Sequence, residues 1–330
     1  MSAVRICGSP AALAALALLL IACGGSESHR AAGESTAASG RIAVTAAASE
    51  PASPFSAVVV ASELVVGRNR FALGVLDRAS NTPIPDATVH LRFFLLQGNQ
   101  ALSKFEADAV FRAPARDAGL APTVQNRHPD GSLHLHANAE ANIGVYTASV
   151  TFDSPGSWGV QALIQAPDGR QGAVAVAFQV AAQPTAPAPG QPAPRSRQPT
   201  VRDVSDISQI DSSAEPDPRL HDLTIAGAIA SGKPTVVLFA TPGYCSSQFC
   251  GPSVEILKKL RAKYEGRANF IHVEVYKDFT KLTPSDTFTE WHLRSEPWFF
   301  IIDGQGIISE RFDGPTTMAE LDAALARLVP

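Results

Sequence analysis

The chain has 330 residues, 45% of them hydrophobic, which is enough for two domains that each bury a core. Its formal net charge of −4 gives no basis for binding nucleic acid, and nucleic acid is not a predicted partner. Cysteines stand at positions 7, 23, 245 and 250, so thiol chemistry is confined to the N-terminus and the last third of the chain.

The first 22 residues have the features of a bacterial signal peptide. Arg5 supplies a positive charge, and the apolar run at 11–22 is short for a membrane span. The run ends in Leu-Ile-Ala-Cys at Cys23, which resembles the lipobox of bacterial lipoproteins. The resemblance implies cleavage before Cys23 and a diacylglyceryl anchor on its sulfur, on the extracytoplasmic side of the cell envelope. The alternative is an ordinary signal peptide with a chance cysteine.

Residues 23–56 are mostly Ala, Ser, Gly and Thr, a composition that predicts a flexible tether. In residues 57–181, apolar residues alternate along several short runs, for example at Phe71, Leu73 and Val75, with turn-forming residues between the runs. This pattern predicts an all-β sandwich, which looks immunoglobulin-like at the level of fold class. Because such a fold does not define a function, the domain is interpreted as a spacer or docking module.

Three histidines of this domain, His128, His134 and His136, surround an Asp-Gly turn. His134 and His136 would share one face of a strand, where such a pair can ligate a metal. No third ligand stands at a fixed spacing, so the sequence favours the alternative that both lie on the solvated face.

Residues 182–218 begin with a proline-rich stretch, which predicts an extended, semi-rigid linker. Residues 219–330 alternate predicted helices with predicted strands. In order, these are a helix at 222–231, a buried strand at 235–240, an amphipathic helix after Pro252, a strand at 270–276, a helix at 283–292 with Pro284 at its first position, a hairpin of 298–302 with 307–312, and a helix opened by a capping box at 317–320.

Cys245 and Cys250 lie where the strand at 235–240 meets the amphipathic helix. Unpaired N–H groups and the positive dipole end of the helix favour a thiolate there. Five helical residues rise about 7.5 Å, more than the roughly 7 Å between Cα atoms that a disulfide permits. Since Pro252 favours a helix that begins close to it, we predict Cys250 in the opening turn and Cys245 in the loop before it. Cys245 would then be the exposed nucleophile and Cys250 the resolving thiol.

The element order and the two cysteines resemble the thioredoxin-like superfamily over the last third of the chain. Tyr244 and Cys245 fall at the Trp-Cys pair of the thioredoxin motif Trp-Cys-Gly-Pro-Cys, and Cys250 falls at its second cysteine, so the motif is widened to Cys-x4-Cys. The segment Ser295-Glu-Pro-Trp298 resembles the cis-proline loop of membrane-anchored members. The resemblance implies that Pro297 stands beside the cysteines, with Tyr244, Glu296 and Trp298 at the docking surface for the substrate.

The sequence departs from thioredoxins at two points. Their buried aspartate on the first strand would fall near Leu238, so this proton-transfer group is missing and Glu296 is a candidate replacement. No basic residue stands between the cysteines, so any thiolate depends mainly on the helix N-terminus.

These features predict a membrane-anchored thiol–disulfide oxidoreductase that acts on protein thiols together with a redox partner and needs no cofactor or metal. A structural disulfide is the simplest alternative, although so short a loop contributes only about 2 kcal/mol. A thiol peroxidase is a second, because the stretch from Thr241 to Cys250 resembles peroxiredoxins with a Cys-x4-Cys pair. A third is a copper-handling protein that holds Cu(I) on Cys245 and Cys250 with His272 or His292.

Overall fold

A computed structural model describes residues 41–43, 53–120, 123–127, 133–137, 142–245 and 247–329, with backbone alone for 41–43, 123–127 and 133–137. Cys23 and His128 lie outside the described residues, as do the side chains of His134 and His136, so the lipidation and histidine hypotheses stay predictions. No helix within the described ranges is long and apolar enough to cross a membrane.

The first part of the described chain is dominated by an antiparallel sheet of eight strands. Seven of them follow the order β10-β9-β4-β5-β8-β3-β2, and β1 pairs with β5. The elements are β1 (Arg41–Ala43), β2 (Phe55–Val59), β3 (Gly67–Asp77), β4 (Thr88–Gln97), β5 (Gln100–Arg112), α1 (Pro114–Asp117), the separate hairpin β6 (Thr123–Arg127) and β7 (Leu133–Ala137), then β8 (Val145–Phe152), β9 (Gly156–Gln165) and β10 (Gln171–Val180).

The sheet folds over a single apolar core. Phe71 on β3 and Phe93 on β4 lie 5.0 Å apart between ring centroids, although β5 and β8 separate these strands in the sheet order. Both rings are fully buried, and the predicted alternation at Phe71, Leu73 and Val75 places all three side chains in this core. The arrangement is compatible with the predicted β-sandwich.

The last part of the chain contains a four-stranded sheet with the order β12-β11-β15-β16. Strands β11 and β12 are parallel, and β15 is antiparallel to both of its neighbours. This is the sheet of a thioredoxin-like domain, as the sequence predicted. The elements are α2 (Ile225–Ala230), β11 (Thr235–Phe239), α3 (Cys250–Lys263), β12 (Asn269–Val273), β13 (Tyr276–Asp278), β14 (Thr283–Pro284), α4 (Asp286–Glu290), β15 (Trp298–Ile302), β16 (Ile308–Asp313) and α5 (Met318–Leu325).

Strand β11 is buried along its whole length because helices cover both faces of the sheet. Val236 and Leu238 pack with α3 and α5, whereas Val237 and Phe239 pack with α2 and α4. The α3 N-terminus, with the dithiol, is therefore fixed to the carboxyl end of the central strand.

Two predictions for this domain differ in their outcome. The capping box of α5 is present, with Thr317 accepting from Glu320 N and Glu320 accepting from Thr317 N. The helix predicted at 283–292 is shorter, since Pro284 belongs to β14 and Ser285 caps a helix that begins at Asp286. The Ser285 hydroxyl satisfies the N–H of Phe288, which moves the start of the helix past the proline.

The segment 182–218, predicted to be an extended, semi-rigid linker, contacts the four-stranded sheet. Ile308 N donates to Gln191 O and Ala193 N donates to Gly306 O, both at 2.9 Å, at the edge of the four-stranded sheet. Further along, the Trp291 ring donates to Ser196 Oγ at 2.9 Å. Proline-rich backbone is extended, and extended backbone can also cover the open edge of a sheet.

Polar contacts join the β-sandwich to the thioredoxin-like domain. Arg70 Nε lies 2.8 Å from Glu320 Oε1, so the sandwich engages the capping residue of α5. Ser62 Oγ donates to Asp313 Oδ2 at 2.8 Å, and Asp313 Oδ1 accepts from Ser295 Oγ at 3.3 Å. The sandwich is thus linked through Asp313 to the loop that precedes β15.

Candidate functional site

Cys245 and Cys250 form a disulfide with their Cα atoms 6.1 Å apart. Helix α3 begins at Cys250, and Cys245 lies in the preceding loop. The prediction that both cysteines cannot sit on one intact helix is therefore confirmed. Between them, Gln248 adopts a left-handed backbone conformation with φ 61°.

The two sulfurs differ in access. The Cys250 side chain is fully buried and belongs to the core packed under α3, whereas Cys245 is partly exposed. Cys245 Sγ lies 3.2 Å from the exposed Ser247 hydroxyl. No side chain caps α3 at Phe249, so the positive end of a 14-residue helix lies at the disulfide. A large partner can reach only Cys245.

Glu296 approaches the disulfide from the loop before β15, where the Glu296–Pro297 peptide is cis. One Glu296 carboxylate oxygen and the sulfurs of Cys245 and Cys250 all lie within 4.8 Å of one another. Burial raises the pKa of Glu296 to about 7, although the Thr241 N–H, which donates to Oε2 at 2.6 Å, opposes this shift. A carboxyl with this pKa can exchange a proton near neutral pH.

Leu238 is buried and apolar, so the first strand carries no carboxyl group at the predicted position. Glu296 places a carboxyl beside the sulfurs from a different element. A replacement for the missing aspartate would have to lie at this position.

The predicted docking residues divide into exposed and buried side chains. Tyr244 is partly exposed and stacks on Phe279, with ring centroids 5.1 Å apart and planes 9° apart. Trp298 is only 1% exposed and its Nε1 donates to Ser295 Oγ at 3.0 Å, so its assignment to the docking surface is wrong. Trp298 belongs to β15, a strand covered on both faces, and none of its residues reaches the surface. Phe279, which no sequence motif marks, lies next to Tyr244 instead.

The segment 182–218 also contacts the loop that contains Cys245. The sequence did not predict this contact. Gly243 N donates to Ser212 Oγ at 3.0 Å, and Ser212 N donates to Glu274 Oε1. A Cβ at position 243 would lie 3.1 Å from Ser212 O, so glycine permits this close approach. Burial raises the pKa of Glu274 to about 7, and the neighbouring His272 opposes the shift.

Two groups required by the alternative functions have other partners. Thr241 Oγ1 accepts from Val275 N at 2.9 Å and is engaged in holding the backbone. His272 is buried and its Nε2 donates to Ala240 O at 2.8 Å, while His292 is exposed. Among the described residues, the cysteines are grouped with a carboxylate and not with either histidine.

No family model and no curated protein matches this chain. Solved structures similar to part of it include a thiol:disulfide interchange protein of the thioredoxin family from Chlorobium tepidum TLS. That protein is 16% identical with a TM-score of 0.28, and the match covers 46% of this chain and 100% of that one. StoA from Bacillus subtilis is 19% identical with a TM-score of 0.22, over 28% of this chain and 82% of its own.

At these scores the likeness carries no weight by itself. The assignment depends on the order and direction of β11, β12, β15 and β16 and on the dithiol at the start of α3. The C-terminal part of this chain has a thioredoxin-like fold.

Proposed function

We propose that this protein is a thiol–disulfide oxidoreductase that acts on protein cysteines through Cys245 and Cys250. The observation that carries the proposal is the asymmetry of the pair: a partly exposed sulfur is bonded to a buried one at the start of a long helix. A structural disulfide has no need for one accessible sulfur, whereas thiol–disulfide exchange requires it.

In the reduced protein, the Cys245 thiolate attacks one sulfur of a substrate disulfide. This forms a Cys245–substrate mixed disulfide and releases the first substrate thiolate. Cys250 then gives its proton to the Glu296 carboxylate and attacks Cys245 Sγ, which releases the second substrate thiolate and forms the Cys245–Cys250 disulfide. Two electrons pass to the substrate, and the reverse sequence oxidises a substrate dithiol. A redox partner of the same chemistry restores the starting state.

The docking surface in this proposal comprises the Glu296 side chain, at the cis peptide to the buried Pro297, and the aromatic pair of Tyr244 and Phe279. Stacked aromatic rings give a rigid apolar contact area at low entropic cost, which suits a surface that holds an extended peptide beside Cys245.

Reduction of the native protein should separate this function from a structural disulfide. We expect a midpoint potential between about −270 and −120 mV, the range of exchange proteins, whereas structural disulfides lie below about −300 mV. The measurement is equilibration with glutathione or dithiothreitol buffers, followed by alkylation and mass spectrometry. A disulfide that remains oxidised below −300 mV would support the structural alternative, and a value inside the range would also indicate the direction of transfer.

We also propose that the protein is a lipoprotein of the cell envelope, anchored by lipid on Cys23. Expression of Cys23→Ser in a bacterial host should give a precursor that is neither cleaved nor lipidated, because the thioether to the lipid needs the cysteine sulfur. Detergent partitioning and intact-mass measurement check this outcome. Normal maturation of the variant would rule out the anchor without affecting the redox proposal.

The domain plan that accompanies these proposals has an immunoglobulin-like sandwich at 57–181 and the redox domain at 219–330. Because the sandwich contacts Asp313, and Asp313 contacts Ser295, we infer that the sandwich also supports the loop that precedes β15 and carries Glu296.

A further inference from the structure

A buried cluster of Asp211, His221 and His272 lies in the thioredoxin-like domain, apart from the chemistry assigned to the dithiol. The three side chains come from the linker segment, the turn after the Pro218–Leu220 helix and strand β12. Asp211 is 1% exposed, His221 3% and His272 1%. Three ionisable groups at this depth require mutual compensation or a bound ion.

We propose that Asp211, His221 and His272 form a metal-binding site, and that Zn²⁺ is the ion whose ligand preference it fits. Imidazole nitrogen and carboxylate oxygen are both zinc ligands, and a 2-His-1-carboxylate set leaves room for a further ligand.

The distances agree with a shared ion. Asp211 Oδ2 accepts a hydrogen bond from His221 Nε2 at 3.0 Å, which a shared ion would replace, and lies 3.7 Å from His272 Nδ1. Two ligands on one tetrahedral zinc ion, each bound at about 2.0–2.1 Å, stand about 3.3 Å apart, between these values. All three atoms lie within 4.8 Å of one another, so an approach of at most about 1.5 Å between any two of them closes the site.

Of the two ring nitrogens of His272, Nδ1 is the one open to a ligand. Its Nε2 faces the carbonyl oxygen of Ala240 at 2.8 Å, and a carbonyl only accepts, so Nε2 carries the proton. Its Nδ1 is buried and has no hydrogen-bond partner among the described residues. At 3.7 Å from Asp211 this atom is too far for a hydrogen bond, yet within reach of a common ion. Metal-bound histidines typically donate their second nitrogen to a carbonyl in this way.

The carboxylate is oriented as well. Asp211 Oδ1 accepts from Ser213 N at 2.9 Å, which leaves Oδ2 toward both histidines. Glu274, two residues after His272, has an oxygen, Oε2, that is also buried without a hydrogen-bond partner in the described part of the chain. Glu274 lines the same cavity as His221 and His272, so this carboxylate or a water can supply the fourth ligand.

An entry route is present. A cavity of about 470 Å³ is lined by His221, His272 and Glu274 on one side and reaches the surface residue Lys277. An ion can therefore reach the cluster without opening the core.

The test uses the full chain with the disulfide formed, since reduced cysteines bind zinc on their own. Equilibrium dialysis and competition with a chromophoric chelator should give one Zn²⁺ per chain. Asp211→Asn and His221→Asn should each lower the affinity at least tenfold. His292→Asn is the matched control, because this histidine is exposed and asparagine tolerates its left-handed φ of 53°, and it should bind zinc as the wild type does.

X-ray absorption spectroscopy of the zinc-loaded wild type identifies the ligand atoms directly, so it tests the site even if the variants fail to fold. We expect a first shell of nitrogen and oxygen without sulfur. No uptake by the oxidised chain, a sulfur-containing shell, or unchanged affinity in folded Asp211→Asn and His221→Asn would each overturn the site. The proposed redox function is independent of every one of these results.

Discussion

Cys250→Ser is expected to accumulate long-lived mixed disulfides with substrate proteins, at least about tenfold more than Cys245→Ser. In Cys250→Ser the partly exposed Cys245 still attacks, but the thiol that should release the product is gone. In Cys245→Ser the remaining sulfur is fully buried in the core under α3 and no partner can approach it. Both variants should lose catalytic turnover, so the trapped species and not the rate distinguishes them.

The measurement is incubation with a disulfide-containing protein, followed by non-reducing electrophoresis and mass mapping of the cross-linked cysteine. The double variant, with both cysteines changed to serine, is the control and should trap nothing. Equal trapping by the two single variants would retain the enzyme but reject the assignment of nucleophile and resolving thiol. An absence of trapping in both would instead favour the structural disulfide.

The thioredoxin-like domain could be predicted because its signals are local. Four consecutive apolar residues at 236–239 predict a strand covered on both faces, and that strand is fully buried. The position of Pro252 placed Cys250 in the first turn of α3, and helix geometry then required Cys245 to lie in the loop. Each inference used residues that are close in sequence.

The remainder of the site depends on contacts between distant segments. Ser212 reaches Gly243 from a stretch whose composition indicates only extended backbone, and nothing in that composition specifies the surface it covers. Phe279 meets Tyr244 across a turn, without a motif to mark it. The Asp211 cluster could not be predicted for the same reason, because its three residues belong to different elements with no fixed spacing in the sequence. Trp298 was wrongly predicted to lie on the docking surface. The motif shows only that it follows Pro297 in the sequence, whereas its exposure depends on the elements that cover β15.

Glu296→Gln is expected to slow the resolving step about 100-fold above pH 7 and to remove the inflection near pH 7 that the titration of Glu296 adds to its pH profile. The sign follows from the raised pKa of Glu296, about 7. Above that value the carboxylate is ionised and can take the proton of Cys250, and below it the acid is already protonated. The wild-type rate should therefore rise through pH 7 and fall toward that of the variant in acid. Glutamine keeps an oxygen for the Thr241 N–H, so the loop geometry is preserved.

The groups around Glu296 also affect its titration. Glu274 raises the pKa of Glu296 and His272, on β12, lowers it, while Cys245 and Cys250 are the sulfurs that Glu296 faces. Tyr276 on β13 is coupled to Glu296 as well, and its own pKa is raised mainly by burial. The measurements are made in the presence of a chelator, so that no metal ion binds to His272.

Stopped-flow mixing of the reduced protein with an aromatic disulfide separates the two chemical steps, because attack by Cys245 and resolution by Cys250 each release one coloured thiolate. Glu296→Gln should leave the first phase unchanged and slow the second. Glu265 is an exposed carboxyl just after the C-terminal end of α3, and Glu265→Gln should keep both phases and the wild-type pH profile. A second phase in Glu296→Gln that keeps both the wild-type rate and the wild-type inflection near pH 7 would show that another group takes the proton of Cys250, and Glu296 would then be a docking residue alone.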